Sequence, residues 1–386
     1  MSRKLIVFCD GTNNEFGVKN TNVVRILQSL VRDGDDHLVF YDPGVGTMAA
    51  PGPITAIGKF IYRAIDLAFG TGFNDNVGDA YIWLMNNWKP GDEIYLFGFS
   101  RGAYTARVIA GALHHCGLLP RGLDNLVPYA LRLLLMSAKL ETGDQFRRTF
   151  SRPTGDPERR VPVHFVGVWD TVASVGWVWT PARYAFSRQN PGVRMFRHAV
   201  SIDERRAFYR HNFFQEDSTA VGNPPRPRVQ QLWFPGVHSD IGGGYSDSFL
   251  WREPFAWIVK EAKAAGLPVD DQRFAQIMTS PPVAEPWLEK KHNELLNPLW
   301  WICEFFPKMP RPWRIRVNLF SSREIKDGEL LHESTLRRLR GDKSYAPANI
   351  SRAFRAYVHS LTDSQIPPVL AYSKSASSAA TTQQPT

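Results

Sequence analysis

The sequence has few cysteines and no long apolar run, and each absence excludes a class of protein. Its 386 residues include three cysteines that lie far apart: Cys9, Cys116 and Cys303. Metal sites and disulfide scaffolds need closely or regularly spaced cysteines, so we expect neither. We expect Cys9 and Cys116, which fall in apolar stretches, to be buried free thiols in a chain made in a reducing compartment. No apolar run reaches the roughly 18 residues that a membrane-spanning helix needs.

Signals for secretion, nucleic-acid binding and nucleotide binding are also missing. The apolar stretch Leu5–Cys9 is too short for a signal peptide, so we expect synthesis in the cytoplasm, with signal-independent secretion left open. The net charge is +9, but the basic residues form short pairs without a nucleic-acid-binding motif. As a partner they suit an anionic membrane, contacted peripherally, better than nucleic acid, and for most of them the alternative is an ordinary solvated basic surface. The glycine-rich segments 44–46 and 242–244 match no nucleotide-binding motif, so we expect no cofactor.

Apolar runs of strand length alternate with segments of helical periodicity. The predicted strands are listed here: Leu5–Cys9, His37–Tyr41, Ile94–Phe99, Val163–Trp169 and Val229–Phe234. Helices are predicted over 21–31, over most of 57–88 and over 101–116. Continuous apolar strands separated by helices are typical of a doubly wound, mostly parallel sheet. We therefore predict an α/β fold with a doubly wound, mostly parallel sheet, with helical insertions acting as a cap or lid and the site at the carboxyl ends of the strands.

The most informative motif joins one of these strands to a helix, in the order Gly98-Phe99-Ser100-Arg101-Gly102. A Gly-x-Ser-x-Gly segment between a strand and a helix is typical of a nucleophile elbow, where a strained turn raises the serine hydroxyl above the sheet. The flanking glycines allow the strand and helix to approach closely. An ordinary strand-to-helix turn with Ser100 as the N-cap is the alternative.

Two further residues complete a candidate catalytic triad with Ser100. Asp170 follows the strand Val163–Trp169, and His238 follows the strand Val229–Phe234, in the chain order serine, acid, histidine of α/β-hydrolases. We predict Ser100 as nucleophile, His238 as general base and Asp170 as the acid that orients it.

Several alternatives to these assignments stay open. Asp170 is alternatively a turn or cap residue, and Asp240 is a rival acid or a support for the histidine loop. The rival histidines are His332, expected at the start of a surface helix, and His114 and His115 on the elbow helix, expected to point away from Ser100.

Stabilising a tetrahedral oxyanion requires two amide donors near the serine hydroxyl. The Arg101 amide at the start of the elbow helix is one candidate. The second is expected from the loop after a neighbouring strand, at Gly11 or Thr12, where Asp10 is alternatively an Asx cap of a tight turn.

We predict one domain over residues 1–355, followed by a disordered tail at 373–386. Insertions are expected at about 118–160, with helices and a charged loop, at 174–228 and at 285–315. The last contains the apolar segment Leu295–Phe306, flanked by lysines. This segment is interpreted as a lid or membrane-contacting segment, or alternatively as a helix packed on the core.

Taken together, the motifs resemble one group of α/β-hydrolases. They are the segments 8–14, 41–47, 98–103, 167–172, 199–206, 234–245 and 345–350, and the resemblance extends from about residue 3 to 352. The group is an uncharacterised-domain family that includes phospholipase (lipase) effectors of the bacterial type VI secretion system. The larger effectors carry long membrane-anchoring regions, and we expect none in this compact chain.

The resemblance implies an α/β-hydrolase fold and a serine-dependent lipid esterase of phospholipase A type, with Ser100, Asp170 and His238 as its triad. A lipid or ester substrate is therefore expected, and no metal. The alternatives are a hydrolase of small esters, thioesters or amides that uses the same triad, and a non-catalytic member that binds a lipid or a partner in its cleft.

Overall fold

The computed structural model describes residues 2–11, 20–31, 36–44, 72–135, 140–172, 176–177, 180–181, 184–207, 209–216, 227–304, 308–311, 314–316 and 318–376. Several predictions fall outside these ranges: Thr12 as an oxyanion donor, the helix before residue 72, Phe305 and Phe306 of the apolar segment, and the tail from residue 377. The side chain of Cys303 also lies outside the description.

The part of the chain that the structure describes contains twelve strands: β1 Lys4–Cys9, β2 His37–Asp42, β3 Glu93–Phe99, β4 Val163–Trp169, β5 Gly176–Trp177, β6 Thr180–Pro181, β7 Val193–Ser201, β8 Val229–Phe234, β9 Lys308–Arg311, β10 Arg314–Arg316, β11 Leu330–His332 and β12 Val369–Ala371. The α-helices within the described ranges are Asn22–Gln28, Phe73–Asn87, Arg101–His115, Val127–Leu135, Leu140–Phe150, His238–Gly242, Arg252–Ala264, Asp271–Thr279, Leu299–Glu304, Glu333–Gly341 and Arg352–Ser360. Short 3₁₀ helices cover Asp124–Leu126, Pro286–Leu288, Glu294–Leu296 and Asp363–Gln365.

Eight of these strands form the central sheet, in the order β12-β11-β8-β7-β4-β3-β1-β2. Every neighbouring pair is parallel except β11 and β12. Helices cover both faces, so the predicted doubly wound, mostly parallel sheet of the α/β-hydrolase type is confirmed.

The sheet lies between two apolar layers, and β1 shows how they divide. Leu5, Val7 and Cys9 pack on the side of the elbow helix Arg101–His115. Ile6 and Phe8 pack on the opposite side, with the helices that begin at Asn22 and Arg252. Because successive strand residues point to opposite faces, a continuous apolar run is what a strand between two helical layers requires.

Strand β7 corrects the predicted insertion at 174–228. Val193–Ser201 lies in the middle of the central sheet, paired with β4 on one side and β8 on the other. Arg197 and His198 interrupt the apolar pattern, which hid the strand. Both are buried and partnered: Arg197 forms a 2.7 Å ion pair with Glu261, and His198 Nε2 accepts the Thr171 amide proton at 3.0 Å.

The predicted domain end at residue 355 is also wrong, because β12 adds an antiparallel strand at Val369–Ala371. Strands β11 and β12 have three residues each, too few to show a period-2 pattern. The helices expected in segment 118–160 are present, at Val127–Leu135 and Leu140–Phe150. Cys9 and Cys116 are buried free thiols, as predicted.

Candidate active site

Ser100 lies at a sharp bend between β3 and the elbow helix. Its backbone has φ 61° and ψ −122°, a conformation that non-glycine residues rarely adopt. A Cβ on Gly98 would lie 2.4 Å from the Gly102 carbonyl oxygen, and a Cβ on Gly102 would lie 2.1 Å from that of Cys9. Both glycines are therefore required by close backbone contacts, as the motif predicted, and the strained turn is held by the surrounding backbone.

The structure brings the three predicted triad residues into one hydrogen-bonded chain. His238 Nε2 lies 2.8 Å from Ser100 Oγ, and His238 Nδ1 lies 2.6 Å from Asp170 Oδ2. All three residues are buried, and Ser100 is 8% exposed. The second distance is short for a bond between an imidazole and a carboxylate, which fits a charge-assisted contact.

Strand pairing explains why residues so far apart in sequence meet. Ser100 follows β3, and Asp170 follows β4, the next strand in the sheet. The Ser100 amide donates to the Trp169 carbonyl at 3.1 Å, which ties the two strand ends together. His238 begins the helix after β8, two strands from β4, and its imidazole reaches back across the end of β7.

A buried arginine that the sequence did not single out holds the acid of this chain. Arg323 donates from Nη1 to Asp170 Oδ1 at 2.5 Å and from Nη2 to Asp170 Oδ2 at 2.9 Å. The Ser201 amide also donates to Oδ1, at 2.9 Å. Burial opposes ionisation of the Asp170 carboxyl, but the charge of Arg323 and the hydrogen bond from His238 outweigh it and hold its pKa well below the usual range.

A second buried ion pair supports the loop that carries His238. Glu204 accepts the His238 amide proton at 3.2 Å and pairs with Arg206 at 2.7 Å. Burial opposes ionisation of Glu204, yet the charge of Arg206 lowers its pKa to about 2. The pKa of His238 is lowered, mainly by burial and in part by Arg206, although Asp170 acts in the opposite direction. An imidazole with a lowered pKa is neutral, and able to accept a proton, at neutral pH.

The rival residues lie in other environments. His332 caps the helix that follows it, with its Nδ1 2.9 Å from Ser334 Oγ, and it is buried rather than on the surface. His114 and His115 lie at the far end of the 15-residue elbow helix, about 20 Å along its axis from Ser100. Asp240 bonds to His292 Nδ1 at 2.8 Å and accepts from the Val237 amide at 2.9 Å. Asp240 therefore supports the histidine loop, which was the second interpretation of this residue.

The oxyanion donors stay a prediction. Arg101 is the first residue of the elbow helix, so its backbone amide lies at the helix N-terminus, the end that favours negative charge. The Gly11 amide follows β1, next to β3, but donates to its neighbour Asp10 Oδ1 at 2.7 Å, the Asx arrangement of the alternative interpretation. Thr12 lies outside the described residues.

Aromatic side chains cover the candidate site. The Tyr209 ring lies with its centroid 4.7 Å from that of His238, and the Trp300 ring packs edge-on against Tyr209 at 5.6 Å. The Arg206 guanidinium lies over both rings, 3.8 Å from the first centroid and 4.7 Å from the second. Trp300 belongs to the apolar segment Leu295–Phe306, for which a lid was one interpretation. This segment therefore contacts Tyr209, one of the rings that cover the triad.

Sequence reasoning missed the charged pairs around the triad. Glu204 and Arg206 lie in a motif that carried the family resemblance, so that motif was the available signal for them. Arg323 lies in no recognised motif, and no local pattern indicated it. Among the described residues, no group of three or more histidine, cysteine, aspartate or glutamate side chains is arranged to hold a metal ion.

A serine at a strand-to-helix elbow above a doubly wound parallel sheet defines a protein of the α/β-hydrolase class. The model of one family within this class matches residues 3–261: the type VI secretion phospholipase effectors described as Tle1-like, catalytic domain. The chain belongs to this family. The match confirms the resemblance, although it ends before residue 352, to which the sequence motifs extend.

Individual proteins are similar over different extents. Uncharacterized protein YEL023C of Saccharomyces cerevisiae is 32% identical over 233 residues, which cover 55% of this chain and 33% of the relative. An uncharacterized protein from Pseudomonas aeruginosa superimposes with a TM-score of 0.44 at 16% identity, over 94% of this chain and 61% of that one. A Tle1 effector, solved bound to the VgrG spike of the type VI secretion system, gives a TM-score of 0.33 at 19% identity, over 63% and 51%. No helix within the described residues combines the length and apolar character needed to cross a bilayer.

Proposed function

We propose that this protein is a serine esterase that cleaves a carboxylic ester of a phospholipid, with Ser100, His238 and Asp170 as its triad. The observation that carries the proposal is the unbroken chain of hydrogen bonds from Ser100 Oγ through both imidazole nitrogens to the Asp170 carboxylate. Membership of a phospholipase effector family supports lipid as the substrate class. The net charge of +9 favours an anionic lipid surface.

The proposed reaction has two steps. Ser100 Oγ attacks the ester carbonyl carbon while its proton moves to His238 Nε2, and amides at Arg101 and in the 11–12 loop stabilise the oxyanion. When the intermediate collapses, the acyl bond to the leaving oxygen breaks, and His238 returns the proton to the departing alcohol. Water then attacks the acyl-serine, again losing a proton to His238, and the fatty acid is released as Ser100 is restored.

Fluorophosphonate labelling and ester turnover test this proposal. Ser100→Ala is expected to lose labelling and at least about a thousandfold in kcat, and Asp170→Asn to lose about ten-thousandfold in kcat because the imidazole takes the wrong tautomer. His332→Asn is the matched control, because asparagine keeps the helix cap and only a catalytic histidine would lose activity on substitution. Full activity in Asp170→Asn, or loss in His332→Asn with retained folding, contradicts the triad.

The substrate class is tested by comparing two esters with the same enzyme. Fatty-acid release from phosphatidylglycerol vesicles is expected to exceed turnover of p-nitrophenyl butyrate in kcat/KM. The reverse preference would assign a small-ester hydrolase. Absence of labelling and of turnover of both esters would assign a non-catalytic binding protein.

A further inference from the structure

The three most exposed large apolar side chains among the described residues lie in one part of the chain. They are Leu296 at 80%, Leu319 at 58% and Trp301 at 50% exposure. The Trp301 indole donates to the Leu295 carbonyl at 2.9 Å, and its ring lies 5.9 Å from that of Phe320. Trp301 thus links the two parts of the apolar patch formed by Leu296, Trp301, Leu319 and Phe320, because it bonds to the residue before Leu296 and packs near the residue after Leu319.

The patch is held firmly from below by one buried carboxylate. Glu304 accepts from the Ala207 amide at 2.6 Å, from the Asn318 side-chain amide at 2.6 Å and from the Phe320 amide at 2.9 Å. Its two oxygens thus join the helix Leu299–Glu304 to the turn that carries the other half of the patch. These hydrogen bonds fix the backbone that carries the patch, so the patch keeps its shape without a bound partner.

The turn itself is strained in a way that exposes an apolar side chain. Leu319 and Phe320 have φ of 44° and 58°, in the left-handed region that residues with a Cβ disfavour. A residue with a Cβ pays a free-energy cost for this conformation. Leu319 points into solvent, so its own burial does not offset this cost. A strained turn that presents a leucine to solvent indicates a use for that leucine at a surface.

Two basic side chains border the patch. Arg205 and Arg210 are exposed, and each binds the same turn: Arg205 Nε donates to the Phe320 carbonyl at 2.7 Å, and Arg210 donates to Asn318 Oδ1. An apolar surface that carries tryptophan and is bordered by arginine is suited to the boundary between lipid headgroups and acyl chains. Anionic lipids add attraction to each nearby basic residue.

The patch also lies next to the candidate site. Trp300, the neighbour of Trp301, packs against Tyr209, and Tyr209 packs against His238. Trp300 is therefore connected to the His238 imidazole, the proposed acceptor of the Ser100 proton, through two successive ring contacts.

We propose that the patch Leu296, Trp301, Leu319 and Phe320, with Arg205 and Arg210 at its border, docks on the surface of an anionic phospholipid bilayer and brings the triad to that surface. This inference rests on the proposed function, since it names the surface through which the enzyme meets its substrate. The membrane is favoured over a second copy of the chain because two copies would place their arginine borders against each other.

The test separates docking from chemistry. The triple variant Leu296→Ser, Trp301→Ser and Leu319→Ser is expected to bind phosphatidylglycerol vesicles at least tenfold more weakly in cosedimentation. Its release of fatty acid from vesicles should fall in proportion, while turnover of soluble p-nitrophenyl butyrate stays within about twofold of the parent enzyme.

The matched control removes three other exposed apolar side chains, on the helices Val127–Leu135 and Leu140–Phe150. Tyr129, Leu135 and Phe150 are 48%, 37% and 42% exposed, and their triple serine variant is expected to bind vesicles like the parent. Arg205→Gln with Arg210→Gln should weaken binding to anionic vesicles more than to phosphatidylcholine vesicles.

Unchanged vesicle binding by the first triple variant overturns the proposal, and so does equal weakening by the control. A parent enzyme that is dimeric and becomes monomeric in the first variant, without a change in vesicle binding, assigns the patch to a second copy instead. Vesicle binding is also measured with Ser100→Ala, so it reports on docking even if ester cleavage is absent. A failure of the proposed function is therefore distinguishable from a failure of this inference.

Discussion

Replacing Arg323 tests whether the geometry of the buried charges sets the basicity of His238. Arg323 holds both oxygens of Asp170 and also donates to the carbonyls of Ser201 and Tyr209. Arg323→Gln removes the charge and the two-pronged contact, whereas Arg323→Lys keeps a charge but loses the planar fork. The pair therefore separates the electrostatic role of Arg323 from its geometric role.

The expected size of the effect follows from distances. Arg323 Nη2 and His238 Nδ1 bond to the same Asp170 oxygen at 2.9 and 2.6 Å, so they lie at most about 5.5 Å apart. At an effective dielectric constant near 20, two positive charges at this separation repel by about 3 kcal/mol, equivalent to about two pH units. Removing the arginine removes this repulsion of the imidazolium, so the pKa of His238 rises.

The acidic limb of the pH profile of kcat/KM reports this pKa in the free enzyme. For Arg323→Gln we expect the limb to move upward by one to two pH units and the free energy of unfolding to fall by about 3–5 kcal/mol, because a buried carboxylate loses its partner. For Arg323→Lys we expect the limb to stay within about half a unit of the parent, with kcat reduced about tenfold.

The control is a second buried arginine on the far side of the elbow helix. Arg147 is 1% exposed and donates to the His115 carbonyl at 2.7 Å, so Arg147→Gln should destabilise the fold without moving the acidic limb. An Arg323→Gln enzyme that is destabilised but keeps the parent pH limb would refute the electrostatic reasoning. Asp170, Glu204 and Arg206 also influence the pKa of His238, and with it the position of the acidic limb. These three residues are unchanged in every variant.

Two further predictions concern stability. Gly102→Ala is expected to lose about 3 kcal/mol in urea unfolding, because its Cβ would lie 2.1 Å from the Cys9 carbonyl oxygen. Gly78→Ala, whose Cβ would meet side-chain atoms no nearer than 3.9 Å, should instead gain up to about 1 kcal/mol, and a similar loss in both would contradict the contact argument. Glu204 has a pKa lowered from 4.5 to about 2, so it stabilises the fold above pH 4.5 and loses that contribution as the pH falls towards 2. Glu204→Gln should therefore unfold more easily at pH 7 and show a flatter dependence between those values; an unchanged slope would count against a paired Glu204.

The amino-acid sequence alone determined the strands that carry the triad. Val163–Trp169 and Val229–Phe234 were predicted with the bounds that the structure has, because uninterrupted apolar runs of this length have few alternatives to a buried strand. The elbow at Ser100 was also predictable from local sequence, because its two glycines and the change from strand to helix fall within a few residues.

Only the tertiary structure decided what surrounds that triad. Arg323 meets Asp170 across 153 positions of the chain, and no periodicity or motif encodes such a meeting. Strand β7 was hidden for the same reason, since the charge of Arg197 within the sheet is balanced by Glu261, which comes from a distant helix. Local patterns report which backbone a segment prefers, whereas the burial of a charge depends on a partner that folding alone supplies.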